Sequence, residues 1–164
     1  MSAFCRNTYV FSETSEHSNY LCTTYESVFC DRGVSFQTVE HYLAYHKAKC
    51  AGDNRMAEII LMTDNISLVK KFGESIINHD ESKWRRIHFK ILWRGNYLKF
   101  TQDRKLRNKL ILTRGKRLVY ANEQDPFYGN GTMPELNVVN PMYSQGFNIL
   151  GFVLMDVRDQ ILFE

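Results

Sequence analysis

The residues of this chain that could do chemistry are a few carboxylates, lysines and aromatic rings. Glu40 falls in the first turn of a helix that Thr38 can cap. Lys47 follows two turns later on nearly the same face, with Leu43 and Ala44 between them. Such a pair either floors a polar cleft or is a surface acid and base on a solvated face. Asp125-Pro126-Phe127-Tyr128-Gly129-Asn130-Gly131 places a carboxylate, two rings and two glycines in one short run. Its glycines let backbone approach a ligand closely, and Phe127 or Tyr128 can face a planar group. The same composition also makes a tight surface turn. Trp84 heads an apolar stripe. It is a core residue, or, if a pocket opens at that helix end, a ring that covers a base or a ribose.

Other chemistries have no signal. No Gly-Lys-Ser/Thr follows the glycine-rich run, and no dinucleotide fingerprint is present. No G-x-S-x-G elbow or Cys–His pairing appears. His41 and His46 are spaced i, i+5, where a metal pair prefers i, i+4. Cys5, Cys22, Cys30 and Cys50 have irregular spacings and no C-x-x-C pair, so no zinc site is expected. They read as reduced, mostly buried thiols of a cytoplasmic protein. No metal or cofactor is called for, and the residue types favour carboxylate chemistry.

The elements that must position these groups are mostly helices. A chain of 164 residues with 44% apolar and 13% aromatic residues is not disordered and suits one domain, taken as residues 1–164. There is no apolar run of ~18 residues for a membrane span, and residues 1–10 hold no apolar signal core. Thr8–Phe11 is β-prone, and Ser12–Thr24 reads as a polar loop. Tyr25–Cys30 and Val34–Gln37 form a hairpin around Asp31-Arg32-Gly33. A helix from Thr38 stops near Gly52, and Asp53 caps the next, with Met56, Ile59, Ile60 and Thr63 as its stripe. Asp64 or Asn65 starts a third helix that closes at Gly73. A fourth, capped by Asp80, carries Trp84, Ile87, His88, Ile91 and Leu92 at helical spacing. Thr101 and Asp103 open a fifth around Leu106 and Leu110. Arg117–Ala121 is a possible strand, and Asn122–Tyr143, with Pro134 and Pro141, is a long irregular segment. A last helix from near Phe147 packs Ile149, Leu150, Val153, Leu154, Val157 and Ile161 inward. The sum is a single compact α+β domain, mainly helical, with a small β-sheet.

Charge adds a partner class. The net charge of +3 conceals a stretch from Lys83 to Arg117 with thirteen Lys/Arg and one acid, Asp103, or +12, against −9 elsewhere. Arg85, Arg86, Arg94, Arg104 and Lys105 belong to it. It is either a solvated basic face or a track for phosphates, with nucleic acid as the possible partner.

Together these residues resemble the NADAR family, also called YbiA-like. Thr38-Val39-Glu40-His41-Tyr42 followed by Lys47-Ala48 is similar to its "T-V-E-H-Y…K-A" core. In order there follow likenesses at Gly52-Asp53, at His79-Asp80 to Trp84, and at Lys99-Phe100-Thr101-Gln102. Others lie at Leu118-Val119, at Asp125 to Gly131, and at the closing Gly146, Asn148, Leu150, Gly151, Leu154, Met155 and Arg158. Ser18-Asn19-Tyr20 resembles its "S-N-F". The match covers about residues 8–160. The resemblance implies the family fold and a metal-independent N-glycosidase. Its substrate would be an ADP-ribosyl or phosphoribosyl conjugate, either ADP-ribose on guanine in nucleic acid or an early riboflavin-pathway intermediate. It implies Glu40 and Asp125 as catalytic carboxylates. Lys47, Trp84 and Tyr128 would contact substrate, as would Asn19 and Asn148. The chain departs from the pattern at three positions. Tyr128 replaces a loop tryptophan, Tyr120 replaces a glutamate, and Glu74 stands where an arginine is usual. These departures leave a second reading open: a member that binds nucleotide or nucleic acid without cleaving it.

Overall fold

Four of the helices start at a side chain able to replace a missing backbone acceptor. In the computed structural model, which describes residues 7–76, 80–133 and 145–164, Thr38, Asp53, Asn65 and Asp80 each accept a bond from an amide in the first turn that follows. Each such cap is worth about 1 kcal/mol. In chain order the described elements begin with β1 (Thr8–Phe11), a 3-10 turn (Asn19–Leu21), β2 (Phe29–Asp31) and β3 (Val34–Phe36). Helices α1 (Val39–Cys50), α2 (Asn54–Leu61), α3 (Ile66–Ser75), α4 (Glu81–Gln102) and α5 (Arg104–Ile111) follow. Then come β4 (Arg117–Tyr120) and α6 (Ile149–Phe163). They fall into two compact units, Met1–Cys22 with Arg104–Glu164, and Thr23–Asp103.

The unit Thr23–Asp103 is built around α1. Ala44, Ala48, Ala57, Ile60, Val69 and Ile76 form its buried cluster. Small side chains let the helices approach closely. A β-carbon on Gly73 would lie 3.3 Å from that of Ala44, and one on Gly95 would lie 2.9 Å from the Tyr42 ring. The β2–β3 hairpin is antiparallel with Asp31 opposite Val34. Its turn is Arg32-Gly33, at φ 50° and 83°. Two positive φ values match the twist of a two-residue hairpin, but an arginine in that conformation costs about 1–2 kcal/mol. Phe36 meets the Tyr42 ring edge-on at 4.9 Å, and this contact seats the hairpin on α1.

The other unit holds a parallel pair, with Thr8 opposite Arg117 and Phe11 opposite Tyr120. The Phe11 and Tyr120 rings stack at 5.2 Å. Helix α6 is locked to β4 by Asn148, itself left-handed at φ 54°. Its side-chain oxygen accepts from the Tyr120 amide at 2.8 Å, and its amide nitrogen donates to the Leu118 carbonyl at 2.9 Å. The Leu118 amide points at the Met155 sulfur, and the Asn130 amide donates to the Tyr120 carbonyl. Any β-carbon on Gly151 would sit 2.4 Å from the Leu118 oxygen, so the approach requires glycine. The buried Arg158 guanidinium donates to the carbonyls of Thr113 and Lys116 and holds the turn after α5.

Several expectations are corrected. Strand β2 begins at Phe29 and not at Tyr25. The polar loop 12–24 contains the 3-10 turn at Asn19–Leu21. Helix α3 continues two residues past Gly73, because that glycine is a packing contact with Ala44 and not a terminator. In α2 the inward residues are Ala57 and Ile60, and Ile59 is exposed. Helix α4 runs through to Gln102. Thr101 lies in its last turn, with its hydroxyl donating back to the Tyr97 carbonyl, and α5 opens only at Arg104. Helix α6 starts at Ile149, where Ile149 and Val153 are only half-buried. The thiols are not mostly buried: Cys22 is, Cys50 is half-buried and Cys30 is exposed. Cys5, His79, Pro134, Pro141 and Tyr143 lie outside the described residues.

Candidate functional site

Glu40 is placed by α1 and fixed from the chain just before the hairpin. The Thr23 hydroxyl donates to the Glu40 carboxylate at 2.9 Å, and the Glu40 amide donates to the Thr23 carbonyl at 2.9 Å. The carboxylate is half-buried. This double link fixes both backbone and side chain, as a catalytic acid or base requires. Thr23 is a partner of Glu40 that no spacing signal in the sequence could reveal. Lys47, also half-buried, donates to the Gly73 carbonyl at 2.8 Å, which ties α1 to α3. Trp84 sits half-buried in the first turn of α4, 6.0 Å from the His88 ring. His41 is fully structural. Its ring bonds the Thr38 hydroxyl on one side and the Thr63 carbonyl on the other.

Asn19, Asp125, Tyr128 and Asn148 belong to the other unit. One Asp125 carboxylate oxygen accepts from the amides of Phe127 and Tyr128, and its carbonyl accepts from Gly129. The segment is therefore a turn nucleated by its own aspartate. Its carbonyls serve a second purpose. Those of Pro126, Gly129 and Tyr128 accept from the amides of Phe147, Asn148 and Leu150 and satisfy the start of α6. Tyr128 is half-buried and meets Phe127 edge-on at 5.1 Å. Asn148 spends both ends of its amide on β4, whereas Asn19 is half-buried on the 3-10 turn.

The position where the family pattern has glutamate shows what Tyr120 does instead. Its hydroxyl lies 3.1 Å from a Glu13 carboxylate oxygen and accepts from Asn122 at 3.0 Å. Burial, reinforced by the Glu13 charge, pushes its ionisation far above the ordinary range, so it is a neutral phenol. A carboxylate is thus brought to this neighbourhood by Glu13, which the sequence did not single out.

The basic stretch is less uniform than its sequence. Lys99 is buried, with its ammonium 5.4 Å from the Tyr25 ring centre and 5.2 Å from that of Phe100. Arg94 pairs with Asp31 at 2.9 Å. Arg85 pairs with Glu81 one turn away, and Arg86, Arg104 and Lys105 are exposed. Among the described residues no group of three His, Cys, Asp or Glu side chains could hold a metal ion. No described helix is long and apolar enough to cross a membrane.

A mainly helical α+β fold with a fixed half-buried glutamate and an aspartate-nucleated aromatic turn defines the class. The chain belongs to the NADAR domain family, whose model matches residues 3–162. It is 31% identical over 126 residues to "N-glycosidase R617" of Acanthamoeba polyphaga mimivirus, covering 76% of this chain and 74% of that one. It is 25% identical over 132 residues to "N-glycosidase YbiA" of Escherichia coli (strain K12), covering 80% and 74%. The NMR structure of the E. coli YbiA protein has the same fold, with a TM-score of 0.79 at 21% identity over 96% of this chain and 86% of that one. A match of 31% over 138 residues to "Riboflavin biosynthesis protein PYRR, chloroplastic" of Zea mays takes in 78% of this chain but 20% of that protein.

Proposed function

We propose that this protein is an N-glycosidase that hydrolyses the C1′–N bond of a phosphorylated ribosyl conjugate. The observation that carries this is Glu40. In a family whose relatives include two proteins named N-glycosidase, it stands half-buried with Thr23 fixing its carboxylate. As the C1′–N bond breaks, its electron pair leaves with the nitrogen and positive charge develops on the ribose. A neighbouring carboxylate stabilises that charge and takes a proton from the attacking water. The water oxygen bonds to C1′, and the leaving nitrogen ends protonated. Asp125 orients ribose hydroxyls through the oxygen that its own turn does not use, or shares the base role. Tyr128 and Trp84 offer ring faces to base or ribose. Lys47 meets a phosphate or a polar ribose group, and Asn19 offers an amide. Asn148 acts through the strand and turn that it anchors.

Two substrate classes fit. The excess of exposed cations between Lys83 and Arg117 favours ADP-ribose carried on guanine in nucleic acid. The likeness to a protein named for riboflavin biosynthesis favours a small ribosylamine intermediate. Mass spectrometry of products from both classes tests this. Release of free base or ADP-ribose from either is expected, and no release from both overturns the proposal. A second reading, binding without cleavage, is favoured by Tyr120, a neutral phenol where the family pattern has a carboxylate. Saturable binding with no product would establish it.

A further inference from the structure

The Thr23–Asp103 unit has a pocket of about 370 Å³ that the proposed chemistry does not use. Tyr42, Tyr45 and His46 of α1 line it. At roughly 100° per residue these lie on the opposite side of α1 from Glu40 and Lys47. The pocket therefore backs onto the helix whose other face carries the candidate catalytic carboxylate. Its size falls within the ~300–1,000 Å³ range of small-ligand sites.

Aromatic rings form its walls and cations its rim. Phe36 and Tyr42 are buried, and Tyr45 and Trp93 are half-buried. Trp93 is held by stacking on Tyr97 at 5.0 Å and 9°. Arg32 enters from the hairpin turn, in the positive-φ conformation that an asparagine or glycine would adopt more easily. Lys90 and Arg94 enter from α4, one turn apart on one face. Among the described residues the one lining acid is Asp31, and it is already occupied. It accepts from the Tyr42 hydroxyl at 2.7 Å and from Arg94 at 2.9 Å. Burial keeps the His46 ring below its ordinary range, so it adds no charge at neutral pH. Three cations and one acid leave a net charge of +2 around an aromatic slot.

That combination discriminates among ligands. A cation would meet Arg32, Lys90 and Arg94 with no unpaired carboxylate. A neutral ring would leave the cations unused. A duplex keeps its bases stacked and cannot offer one to a pocket. We infer that the pocket behind α1 is a second binding site, for a planar aromatic ring joined to a phosphate, as in a nucleoside monophosphate. The ring lies among Tyr45, Trp93 and Phe36, and the phosphate is met by Arg32 and Lys90. The unit comes either as a free mononucleotide or as the phosphorylated end of a single strand. Arg86, one turn before Lys90 on the same stripe, favours the strand end.

The test reads the pocket directly. The chain has two tryptophans, Trp84 and Trp93, so the ¹H–¹⁵N spectrum has two indole signals, assigned with Trp93→Phe. Adenosine 5′-monophosphate and a 5′-phosphorylated oligothymidylate are titrated against the 164-residue chain. The Trp93 signal should move saturably with at least one of them. Arg32→Glu/Lys90→Glu should weaken that response about tenfold or more, as the loss of charge-assisted contacts predicts. Adenosine without phosphate should also bind about tenfold more weakly. The tighter of the two probes identifies the source. Glu40→Gln should leave the Trp93 response intact, so failure of the N-glycosidase proposal and failure of this one are separable. Should the double variant not fold, Arg32→Gln and Lys90→Gln, both at exposed positions, are each expected to weaken binding about threefold. A response at Trp84 alone, no response to either probe, unchanged affinity in the charge variants, or equal affinity for adenosine would overturn the inference.

Discussion

At the scale of single residues, Glu40 and His46 make opposite demands on the same helix. Glu40 is held by hydrogen bonds at one face. Glu40→Gln keeps the Thr23 contact but removes the charge and the base. Turnover should fall by ~10²–10⁴-fold with substrate affinity little changed, as product formation and equilibrium binding measured on one sample would show. Turnover within a few-fold of the parent would remove Glu40 from the mechanism. At the other face burial holds the His46 imidazole below its ordinary value of 6.5. The unfolded chain therefore takes up this proton first as the pH falls. The stability contribution is intact above 6.5 and is lost as the pH drops towards the lower folded value. Denaturant midpoints compared at about pH 7.5 and 5.5 should show this loss, and His46→Gln should flatten it. Asp31 has the same sign in a lower window. Burial works to raise it, but the Tyr42 hydroxyl and Arg94 outweigh that and hold it below 3.8. Its contribution disappears only as the pH falls through that depressed value.

At the scale of elements, the starts of helices were legible because capping is local. Thr38, Asp53 and Asp80 each sit directly before the helix they cap, and a reader of the chain sees them there. Where elements end was less legible, since that depends on partners far away in sequence. Gly73 looks like a stop, but Ala44, on a different helix, needs a glycine there. The same limit applies to the site. Glu40 and Asp125 were visible as residue types in a recognisable pattern. Thr23, Glu13 and the pocket behind α1 were not, because each exists only through a contact between distant segments. Two substitutions probe such contacts. Asn148→Ala strips partners from the Tyr120 amide and the Leu118 carbonyl, and should cost about 2 kcal/mol or more in urea unfolding. Gly95→Ala pushes a methyl to 2.9 Å from the Tyr42 ring and should destabilise by about 1–3 kcal/mol. A stability equal to the parent in either case would mean that the interface repacks freely.

At the scale of the molecule, the +12 stretch is divided. Arg85, Arg86 and Arg94 lie in the Thr23–Asp103 unit, and Arg104 and Lys105 in the other. Lys99 contributes nothing to a surface track because it is buried, and Arg94 is partly neutralised by Asp31. Exposed pairs such as Arg85–Glu81 add at most ~1 kcal/mol to folding, so the exposed cations matter mainly for binding. If single-stranded nucleic acid carries the substrate, the logarithm of affinity should fall with the logarithm of salt by about 0.7 per phosphate contact. Replacing Arg85 and Arg86 by glutamine, or Arg104 and Lys105 by glutamine, should each lower that slope. A slope indifferent to both pairs would confine the basic residues to solvation.

The anchoring of β4 also bears on how copies of this protein meet. A strand at the rim of a two-stranded sheet ordinarily offers unmatched amides and carbonyls to a neighbouring chain. Here the outward groups of Leu118 and Tyr120 are all taken, by Met155, by both ends of the Asn148 side chain, and by the Asn130 amide. The helix and turn act as a stand-in third strand made of side chains. This rim is closed to strand addition, and with it one route to edge-to-edge assembly between molecules.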